Sequence, residues 1–459
     1  MKISGREKQT ISARCAAFLA LRQIERDDAY ANIAFKQVLN QYKLSSQEAR
    51  LAAQITYGST RMRLALDHML SHFLKKPLDE LMMELKIILR LSLFQLHYLE
   101  TEPYAAVNEG VALTKKYASP KLAGLTNAVL RNYLRADKAS LLPAKDDDFR
   151  EYLNVTLSFP VWLVDYLLAH YTPEEAEAFC IHANTHRGIA IRANTLKISP
   201  ADLAQALAAE NIQTSSAGYA PETLRLTGEA GNLAAQHFFR DGYFIVQGLS
   251  SQLVAHALSP APGSRVLDLC AAPGGKTTHL AALMNNSGEI HAFDIHPHKA
   301  ALIQANAERL GVDIIQAEVA DSRELPETYD CWADYILLDA PCSGLGTLGV
   351  RADSRFRKEN ASVGQLARLS YELLESAARY LRKGGRICYS TCTITDDENG
   401  ANVHRFLVEH PDFTLVPLAG LQKFMPEYKD KLASGEIQLL PFMDDKGMDG
   451  FYIALLEKK

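Results

Sequence analysis

The fold of this chain is decided by the stretch Leu267-Asp268-Leu269-Cys270-Ala271-Ala272-Pro273-Gly274-Gly275-Lys276-Thr277. An apolar segment that runs into a loop of small residues and then into a helical pattern is typical of a strand, loop and helix in a doubly wound α/β domain. Small residues let the backbone approach a ligand closely, and the helix N-terminus directs amide N–H groups toward it. The stretch therefore predicts a ligand-binding loop at the carboxyl end of a parallel strand.

The loop does not match two common nucleotide-binding motifs. Gly275-Lys276-Thr277 matches the end of a P-loop, but that motif needs a glycine five positions before Gly275, where this chain has Cys270. The loop does not match the pattern Gly-x-Gly-x-x-Gly either. The candidate cofactor-binding residues of the loop are Cys270, Ala271, Ala272, Pro273, Gly274, Gly275 and Lys276.

Around this loop, short apolar strands alternate with helical patterns. This alternation predicts a doubly wound, mostly parallel sheet in a Rossmann-like domain over residues 259–459. The predicted strands are Arg265–Cys270, Glu289–Asp294, Ile314–Glu318, Tyr335–Ala340 and Arg386–Ser390. Two further segments are predicted to add antiparallel edge strands across a turn at 444–447, and these are Ile437–Phe442 and Phe451–Glu457.

Carboxylates stand at or just after successive predicted strand ends. Asp294 closes the second strand, Asp321 follows the third and Asp339 closes the fourth. Each of them alone could be a helix cap or a solvated turn residue. Together they predict a site for an adenosine ligand without phosphates, because Asp294 can accept both ribose hydroxyls and the acidic field repels phosphate. S-adenosylmethionine, with its sulfonium and ammonium charges, fits that field better than NAD or ATP.

The part of the chain before the α/β domain divides into two segments. Residues 1–140 have helical periodicity and few strand signals. Residues 150–258 mix helix with strand-like pieces at 188–196 and 242–247, so we expect a small mixed α/β domain there that orients RNA. Residues 1–135 hold 20 Lys and Arg against 12 Asp and Glu, whereas the rest of the chain holds 29 against 42. This asymmetry indicates polyanion binding by the first segment. A solvated helical surface is the alternative explanation.

Composition excludes several classes of protein. No apolar run approaches the roughly 18 residues of a transmembrane helix, and the first eight residues lack the apolar region of a signal peptide. Seven cysteines without a dense framework favour a reducing compartment. The sequence lacks a close Cys-x-x-Cys pair with histidines, which would indicate a zinc site. We therefore expect a cytoplasmic protein that binds neither membrane nor metal. A monomer is also expected, although composition and motifs do not specify the oligomeric state.

Two further motifs place cysteines at strand ends 50 positions apart. Cys342 lies in Asp339-Ala340-Pro341-Cys342-Ser343-Gly344, and Cys392 lies in Tyr389-Ser390-Thr391-Cys392-Thr393. Ligands gather at the carboxyl ends of parallel strands, and a deprotonated cysteine is a strong nucleophile. The two motifs predict one active site with two thiols, and from the residues alone either thiol can be the nucleophile.

The glycine loop and the two cysteine motifs together resemble the RNA cytosine-C5 methyltransferases that use S-adenosylmethionine. The basic helical N-terminus resembles the NusB-like RNA-binding domain of the bacterial 16S ribosomal RNA enzymes of the RsmB (Sun) type. The phrases that carry this second likeness are Tyr104-Ala105-Ala106-Val107-Asn108-Glu109 and Leu125-Thr126-Asn127-Ala128-Val129-Leu130-Arg131. The resemblance extends over essentially the whole chain.

The resemblance implies roles for individual residues. It makes Cys392 the nucleophile that adds to C6 of cytosine, and Cys342 the residue that aids product release. It places Asp339 at the cytosine edge or at the donor's amino group, with Lys276 in the same region. The motifs leave open which proton Asp339 and Lys276 hold, which cytosine is modified, and whether naked RNA or an assembly intermediate is the substrate.

A basic segment after the Pro-Cys motif is a candidate RNA contact. Its candidate residues are Arg351, Arg355, Arg357 and Lys358, and a solvated start of a helix is the alternative. Gly349-Val350 departs from the denser arginine run that the family often has here.

Two other functions stay open at this stage. The catalytic motifs do not name the acceptor, so a transfer RNA or DNA cytosine methyltransferase is one alternative, although the NusB-like segment favours 16S ribosomal RNA. An RNA-binding assembly or antitermination factor with a relict cofactor fold is the other. The intact cysteines, Asp339 and glycine loop count against a relict.

Overall fold

A computed structural model of the chain describes residues 9–99, 101–185, 188–227, 231, 233–443 and 446–459. The described chain forms two compact units. The first extends to Asn184 and includes Val350–Arg357, and the second comprises Thr185–Gly349 and Lys358–Lys459. Residues 150–184 thus lie in the first unit, while the expected boundaries at 140–150 and 258–259 stay predictions.

The first unit is helical. The first helix begins after Ser12, whose hydroxyl accepts the N–H of Cys15 at 3.3 Å, and it ends at Asp27, followed by the C-cap Asp28 with a positive φ of 49°. Helices α1, α3 and α5 pack around a core that includes Phe18, Ile55 and Leu91. The helices are α1 (Ala13–Asp27), α2 (Ala31–Gln41), α3 (Ser46–Arg61), α4 (Arg63–Ser71), α5 (Met83–Tyr98), α6 (Pro103–Leu113), α7 (Ala123–Arg135), α8 (Phe149–Glu151), α9 (Val161–His170) and α10 (Pro173–Asn184).

The second unit begins with a small antiparallel sheet. Its strands run in the order β2-β3-β1-β4, and its apolar face packs on α11 through residues such as Leu203 and Leu207. The elements are β1 (Ile189–Ala193), α11 (Pro200–Ala209), β2 (Thr214–Ser216), β3 (Thr223–Leu226), α12 (His237–Arg240) and β4 (Phe244–Val246). The sequence predicted two of these strands, at 188–196 and 242–247.

The larger sheet of the second unit carries the glycine loop and both cysteine motifs. Its strand order is β10-β12-β9-β8-β5-β6-β7, and β11 pairs with β12. Neighbours from β9 to β7 are parallel, whereas all pairs that involve β12 are antiparallel. The strands are β5 (Arg265–Asp268), β6 (Glu289–Asp294), β7 (Ile315–Val319), β8 (Ala333–Asp339), β9 (Leu381–Thr391), β10 (Phe413–Leu415), β11 (Glu436–Leu439) and β12 (Phe451–Lys458).

Helices cover both faces of this sheet. Adjacent strand residues point to opposite faces, so Val266 of β5 joins one core cluster and Leu267 joins the other. The first cluster includes residues of α13, α14 and α15, and the second includes residues of α16 and α17. These helices are α13 (Leu249–Leu258), α14 (Gly275–Leu283), α15 (Pro297–Leu310), α16 (Asn360–Tyr380) and α17 (Gly400–Glu409), and two short helices follow at α18 (Ala419–Gln422) and α19 (Lys429–Ala433).

The fold class predicted from the sequence is confirmed: an all-helical first segment, a small α/β segment and a mostly parallel doubly wound sheet. The two segments expected to form antiparallel edge strands become β11 and β12, but β12 lies between β9 and β10 and so is not an edge strand. The sequence missed β10, which is three residues long. Asp444 and Asp445 of the expected turn lie outside the described residues. Among the described helices, none has the length and apolarity needed to span a bilayer.

Candidate active site

The glycine loop links β5 to α14. Gly274 is the N-cap of α14 with a φ of +92°, and a Cβ added to it would lie 3.2 Å from the Cα of Ile303. Both the backbone conformation and the close approach therefore require glycine here. At the end of β5 the hydroxyl of Thr277 donates to Oδ2 of Asp268 at 2.7 Å, and burial raises the pKa of Asp268 to about 7.

A buried arginine from the small sheet supports the loop. The guanidinium of Arg192 donates to the carbonyl of Gly275 at 2.6 Å and to Oγ1 of Thr278 at 3.1 Å. Burial lowers the pKa of Arg192 to about 9. Sequence reasoning missed Arg192, although a single cation in the apolar stretch Ile189–Ala193 was a visible signal.

The predicted carboxylates lie at the expected strand ends. Asp294 ends β6, and its Oδ1 accepts the N–H of His296 at 3.0 Å. Asp321 follows β7 and is bound by the guanidinium of Arg323, which lowers the pKa of Asp321. Strands β8, β5, β6 and β7 are successive parallel neighbours. These carboxylates and the glycine loop therefore lie together along the carboxyl-terminal edge of the sheet. Carboxylates beside a glycine loop have the chemistry to hold a ribose and a cationic sulfonium, so the residues present fit S-adenosylmethionine.

Lys276 and Asp339 form an ion pair at that edge. The Lys276 ammonium donates to Oδ2 of Asp339 at 2.6 Å, and the hydroxyl of Ser390 donates to Oδ1 at 2.9 Å. The side chains of Lys276 and Asp339 are 11% and 30% exposed, so both can be reached from solvent. Ser390 lies directly before Thr391 in the motif around Cys392, and sequence reasoning did not assign it a role.

The two cysteines lie side by side. Strands β8 and β9 are parallel with Asp339 opposite Ser390, which brings the loops that follow them together. The Sγ atoms of Cys342 and Cys392 are 3.4 Å apart, and the Cys392 N–H donates to the Cys342 sulfur at 3.3 Å. The hydrogen bond with Cys392, burial and the negative charges of Glu398 and Asp339 raise the pKa of Cys342, which favours its neutral thiol.

The four candidate RNA contacts differ in exposure. Arg351 is exposed and Lys358 is half-buried. Arg355 is fully buried in the first unit, where its guanidinium donates to Oδ1 of Asn184 at 2.9 Å and lies 3.9 Å from the Phe159 ring centroid. This burial corrects the expected RNA contact at Arg355, because its side chain has no solvent-exposed surface.

Arg357 is also held within the first unit. It donates to the carbonyl oxygens of Asp28 and Ala29, and its Nε lies 3.3 Å from Oδ2 of Asp353. Its side chain is 15% exposed. The sequence placed Arg357 among exposed cations because the partners at 28 and 29 are more than 300 residues away.

One cluster among the described residues combines groups that can ligate a metal. The Nε2 atoms of His256 and His279 each lie 2.7 Å from Oε1 of the buried Glu222. Nε2 of His256 is hydrogen-bonded to Glu222, whereas Nε2 of His279, at the same distance, does not have hydrogen-bond geometry. The expectation of no metal site stays a prediction.

Comparisons with known proteins agree along the whole chain. Residues 255–457 match the family described as 16S rRNA methyltransferase RsmB/F, residues 11–135 match the NusB family, and residues 159–231 match the ferredoxin-like domain of RsmF/B-like methyltransferases. The probable ribosomal RNA small subunit methyltransferase B of Bacillus subtilis is 38% identical over 98% of this chain and 99% of its own length. The ribosomal RNA small subunit methyltransferase B of Pseudomonas syringae is 31% identical over 98% of this chain and 97% of its own length.

Solved structures share the fold. The crystal structure of PH0851 has a TM-score of 0.82 at 28% identity and covers 98% of this chain and 100% of its own. The structure of NSun6 from Pyrococcus horikoshii with SFG has a TM-score of 0.58 at 25% identity and covers 67% of this chain and 99% of its own. With its paired thiols, glycine loop and NusB-matching helical segment, this chain belongs to the RsmB family of 16S ribosomal RNA methyltransferases.

Proposed function

We propose that this chain transfers a methyl group from S-adenosylmethionine to C5 of one cytosine in 16S ribosomal RNA, through a covalent bond between Cys392 and C6 of the base. The observation that carries the proposal is the thiol pair, with Sγ atoms 3.4 Å apart, beside the Lys276–Asp339 ion pair. The name of the family and the names of the relatives support the ribosomal RNA acceptor.

The chemistry explains why a thiol is needed. C5 of cytosine is a poor nucleophile, and addition of the Cys392 thiolate to C6 converts the ring to an enamine-like form whose C5 can attack a methyl group. C5 takes the methyl group as the methyl–sulfur bond of the sulfonium breaks. A base then takes the C5 proton, the electrons of the C5–H bond restore the C5–C6 double bond, and the S–C6 bond breaks to return the Cys392 thiolate. The base must first leave its stack, because a buried ring face cannot be attacked.

The residues of the sheet edge bind and orient the reactants. The donor supplies an electrophilic methyl group on a sulfonium. The loop 270–276 and Asp294 hold its adenosine part, and Asp321 contributes at the same edge. Asp339 accepts a hydrogen bond from the cytosine edge or from the donor's amino group, and Lys276 holds the Asp339 carboxylate in place at 2.6 Å.

We assign different roles to the two thiols. Cys392 attacks as the thiolate. Cys342, whose pKa is raised, stays a neutral thiol next to it and assists the elimination that releases the product. Arg351 and Lys358 contact the RNA backbone from the segment after the Pro-Cys motif, and the basic helical segment binds RNA through phosphate contacts.

The roles of the thiols are tested with two variants and radiolabelled donor. Cys392→Ala abolishes methyl transfer while donor binding persists, and full activity in this variant contradicts the nucleophile assignment. Cys342→Ala accumulates a protein–RNA adduct that survives a denaturing gel, and absence of the shifted band contradicts the release role. Cys331→Ala removes an exposed cysteine of the same unit and is the control.

The acceptor is tested separately in cells. Bisulfite sequencing of total RNA from cells with and without the gene identifies the cytosine that loses its methyl group. A loss confined to one position of 16S ribosomal RNA supports the proposal. A loss in transfer RNA, with 16S ribosomal RNA unchanged, contradicts it.

A further inference from the structure

The proposed chemistry does not use Glu398, although this glutamate lies beside both cysteine loops. Its side chain is fully buried at the end of the helical turn Asp396–Glu398, just before α17. Burying a carboxylate is unfavourable unless hydrogen bonds replace its water. The partners of Glu398 therefore indicate what the burial achieves.

Those partners come from the residues that follow each cysteine. Ser343, next to Cys342, donates its N–H to Oε1 of Glu398 at 2.6 Å and its hydroxyl to Oε2 at 2.6 Å. The hydroxyl of Thr395, three residues after Cys392, donates to the same Oε2. Since the Ser343 hydroxyl donates to Glu398, the hydroxyl of Thr393 donates to Ser343, at 2.7 Å. One carboxylate thus joins the loop after β8 to the loop after β9.

The backbone around Glu398 is itself fixed. The phenol of the buried Tyr389 donates to the Glu398 carbonyl at 2.5 Å, and burial raises the pKa of Tyr389, which keeps it a donor. The next residue, Asn399, donates its amide to Oε1 of Gln438 on β11 at 2.8 Å. The backbone that carries the Glu398 carboxylate is therefore tied to β9 through Tyr389 and to β11 through Gln438.

We propose that Glu398 is a positioning residue that holds the Cys342 and Cys392 loops together and keeps the two thiols in contact. The consequence for methyl transfer depends on the function proposed above, whereas the consequence for thiol geometry does not. The carboxylate is needed as such because three donors converge on its two oxygens. A glutamine amide at this position has one acceptor oxygen and no charge, so the Ser343 and Thr395 hydroxyls must turn to accept from its NH₂ group, and the charge-assisted hydrogen bonds are lost.

The test compares Glu398→Gln with Glu222→Gln in the full-length chain. Glu222 is a matched control because it is also a buried glutamate of the second unit, 2.7 Å from two imidazole nitrogens. Phenylarsine oxide is the probe, since its arsenic condenses with two neighbouring thiols, forms two As–S bonds and releases one water. Cys342→Ala gives the arsenical binding that remains when one of the two thiols is missing.

We expect Glu398→Gln to weaken arsenical binding by about tenfold or more, and Glu222→Gln to leave it within about twofold of the parent. Single-turnover methyl transfer falls by about tenfold in Glu398→Gln, while the KM values for RNA and donor change by less than about threefold. Ser343→Ala removes the shared hydroxyl but keeps the backbone N–H, so it gives a smaller loss in both measurements and serves if Glu398→Gln does not fold.

The outcomes separate this inference from the proposed function. Unchanged arsenical affinity and unchanged transfer rate in a folded Glu398→Gln protein overturn the positioning role. Equal losses in Glu222→Gln and Glu398→Gln also overturn it, because they point to general destabilisation. A parent that binds the arsenical but methylates no cytosine contradicts the proposed function and leaves the positioning role intact.

Discussion

At Asp339 the two carboxylate oxygens have separate partners, and this division makes the contribution of Lys276 measurable. Lys276→Met leaves Oδ1 bonded to Ser390 but removes the cation from Oδ2. We expect the single-turnover rate of methyl transfer to fall by about 10²-fold, since a preorganised charged contact in the proposed active site is lost.

The control for Lys276 is Lys383→Met, which removes an exposed ammonium from the same unit. Surface changes of this kind have small effects, so its rate stays within about twofold of the parent. Equal rates for the parent and Lys276→Met, with both sites saturated, refute a role for the ion pair in the chemical step.

At the same scale, the sequence predicted some site residues and missed others. Cys342, Cys392 and the glycine loop were predicted because each lies in a motif whose composition is unusual. Glu398 was missed because its hydrogen-bond partner Ser343 is 55 residues away in the sequence. A lone glutamate in a polar turn is expected to be exposed to solvent. The same reasoning failed at Arg355, whose acceptors and aromatic partner lie about 170 to 200 residues earlier.

At the scale of elements, Arg355 connects Val350–Arg357 to the helical unit. Its guanidinium reaches the carbonyls of Ser158 and Ala183 as well as Asn184, and it lies over Phe159. A lysine ammonium cannot replace the planar guanidinium, whose several N–H donors reach these acceptors at once. We expect Arg355→Lys to lower the free energy of unfolding of this unit by about 2 kcal/mol, measured by urea denaturation.

The salt dependence of RNA binding distinguishes the buried Arg355 from the exposed Arg351. Arg355→Lys leaves the dependence of log K on log salt unchanged, whereas Arg351→Ala, at an exposed position, reduces the magnitude of that slope by about 1. A reduced slope in Arg355→Lys with unchanged stability contradicts the structural role that the burial assigns to it.

The loop after the Pro-Cys motif depends on a close backbone approach. A Cβ added to Gly346 would lie 1.9 Å from the carbonyl oxygen of Gly450, which precedes β12. Gly346→Ala must therefore displace the loop that carries Cys342, and we expect methyl transfer to fall by about tenfold or more. Single-turnover kinetics measure this loss.

Gly364→Ala is the matched control for Gly346. It lies in α16, and a Cβ there meets no atom within 4 Å. Because alanine favours helix over glycine, this variant keeps full activity and gains up to about 1 kcal/mol in the free energy of unfolding. Equal activity in the two variants contradicts the importance of the 346–450 contact.

At the scale of the whole molecule, periodicity predicted the fold class but not the division into units. The alternation of strands and helices after residue 259 specifies a parallel sheet, because that topology needs crossover helices. The return of Val350–Arg357 to the helical unit follows from contacts of Arg355, Arg357 and Asp353 with residues far earlier in the chain. Composition does not change at 350 or 357, so the sequence offers no signal there.

The buried His279 makes the stability of the second unit depend on pH. Burial, and after it the charge of Arg192, lower the pKa of His279 to about 3, while Glu222 beside it acts in the opposite direction. The unfolded chain binds a proton at this histidine near its usual pKa of about 6.5, and the folded chain does not. The contribution of His279 to stability is therefore complete above pH 6.5 and declines as the pH falls from 6.5 toward 3. Asp268 of the same unit acts in the opposite direction, because burial raises its pKa to about 7 and the folded chain then holds a proton that the unfolded carboxyl releases.

We expect His279 to contribute a decrease of roughly 1.4 kcal/mol per pH unit to the free energy of unfolding as the pH falls from 6 to 4.5, against the opposite contribution of Asp268. His279→Gln removes the His279 contribution, so its slope differs from that of the parent by roughly 1.4 kcal/mol per pH unit in this window, whereas the depressed pKa of Glu222 acts only below it. Urea titrations at several pH values, read by amide hydrogen exchange of β5 and β8, measure the slope. His298→Gln, at an exposed position, is the control, and a slope in His279→Gln equal to that of this control contradicts the assignment.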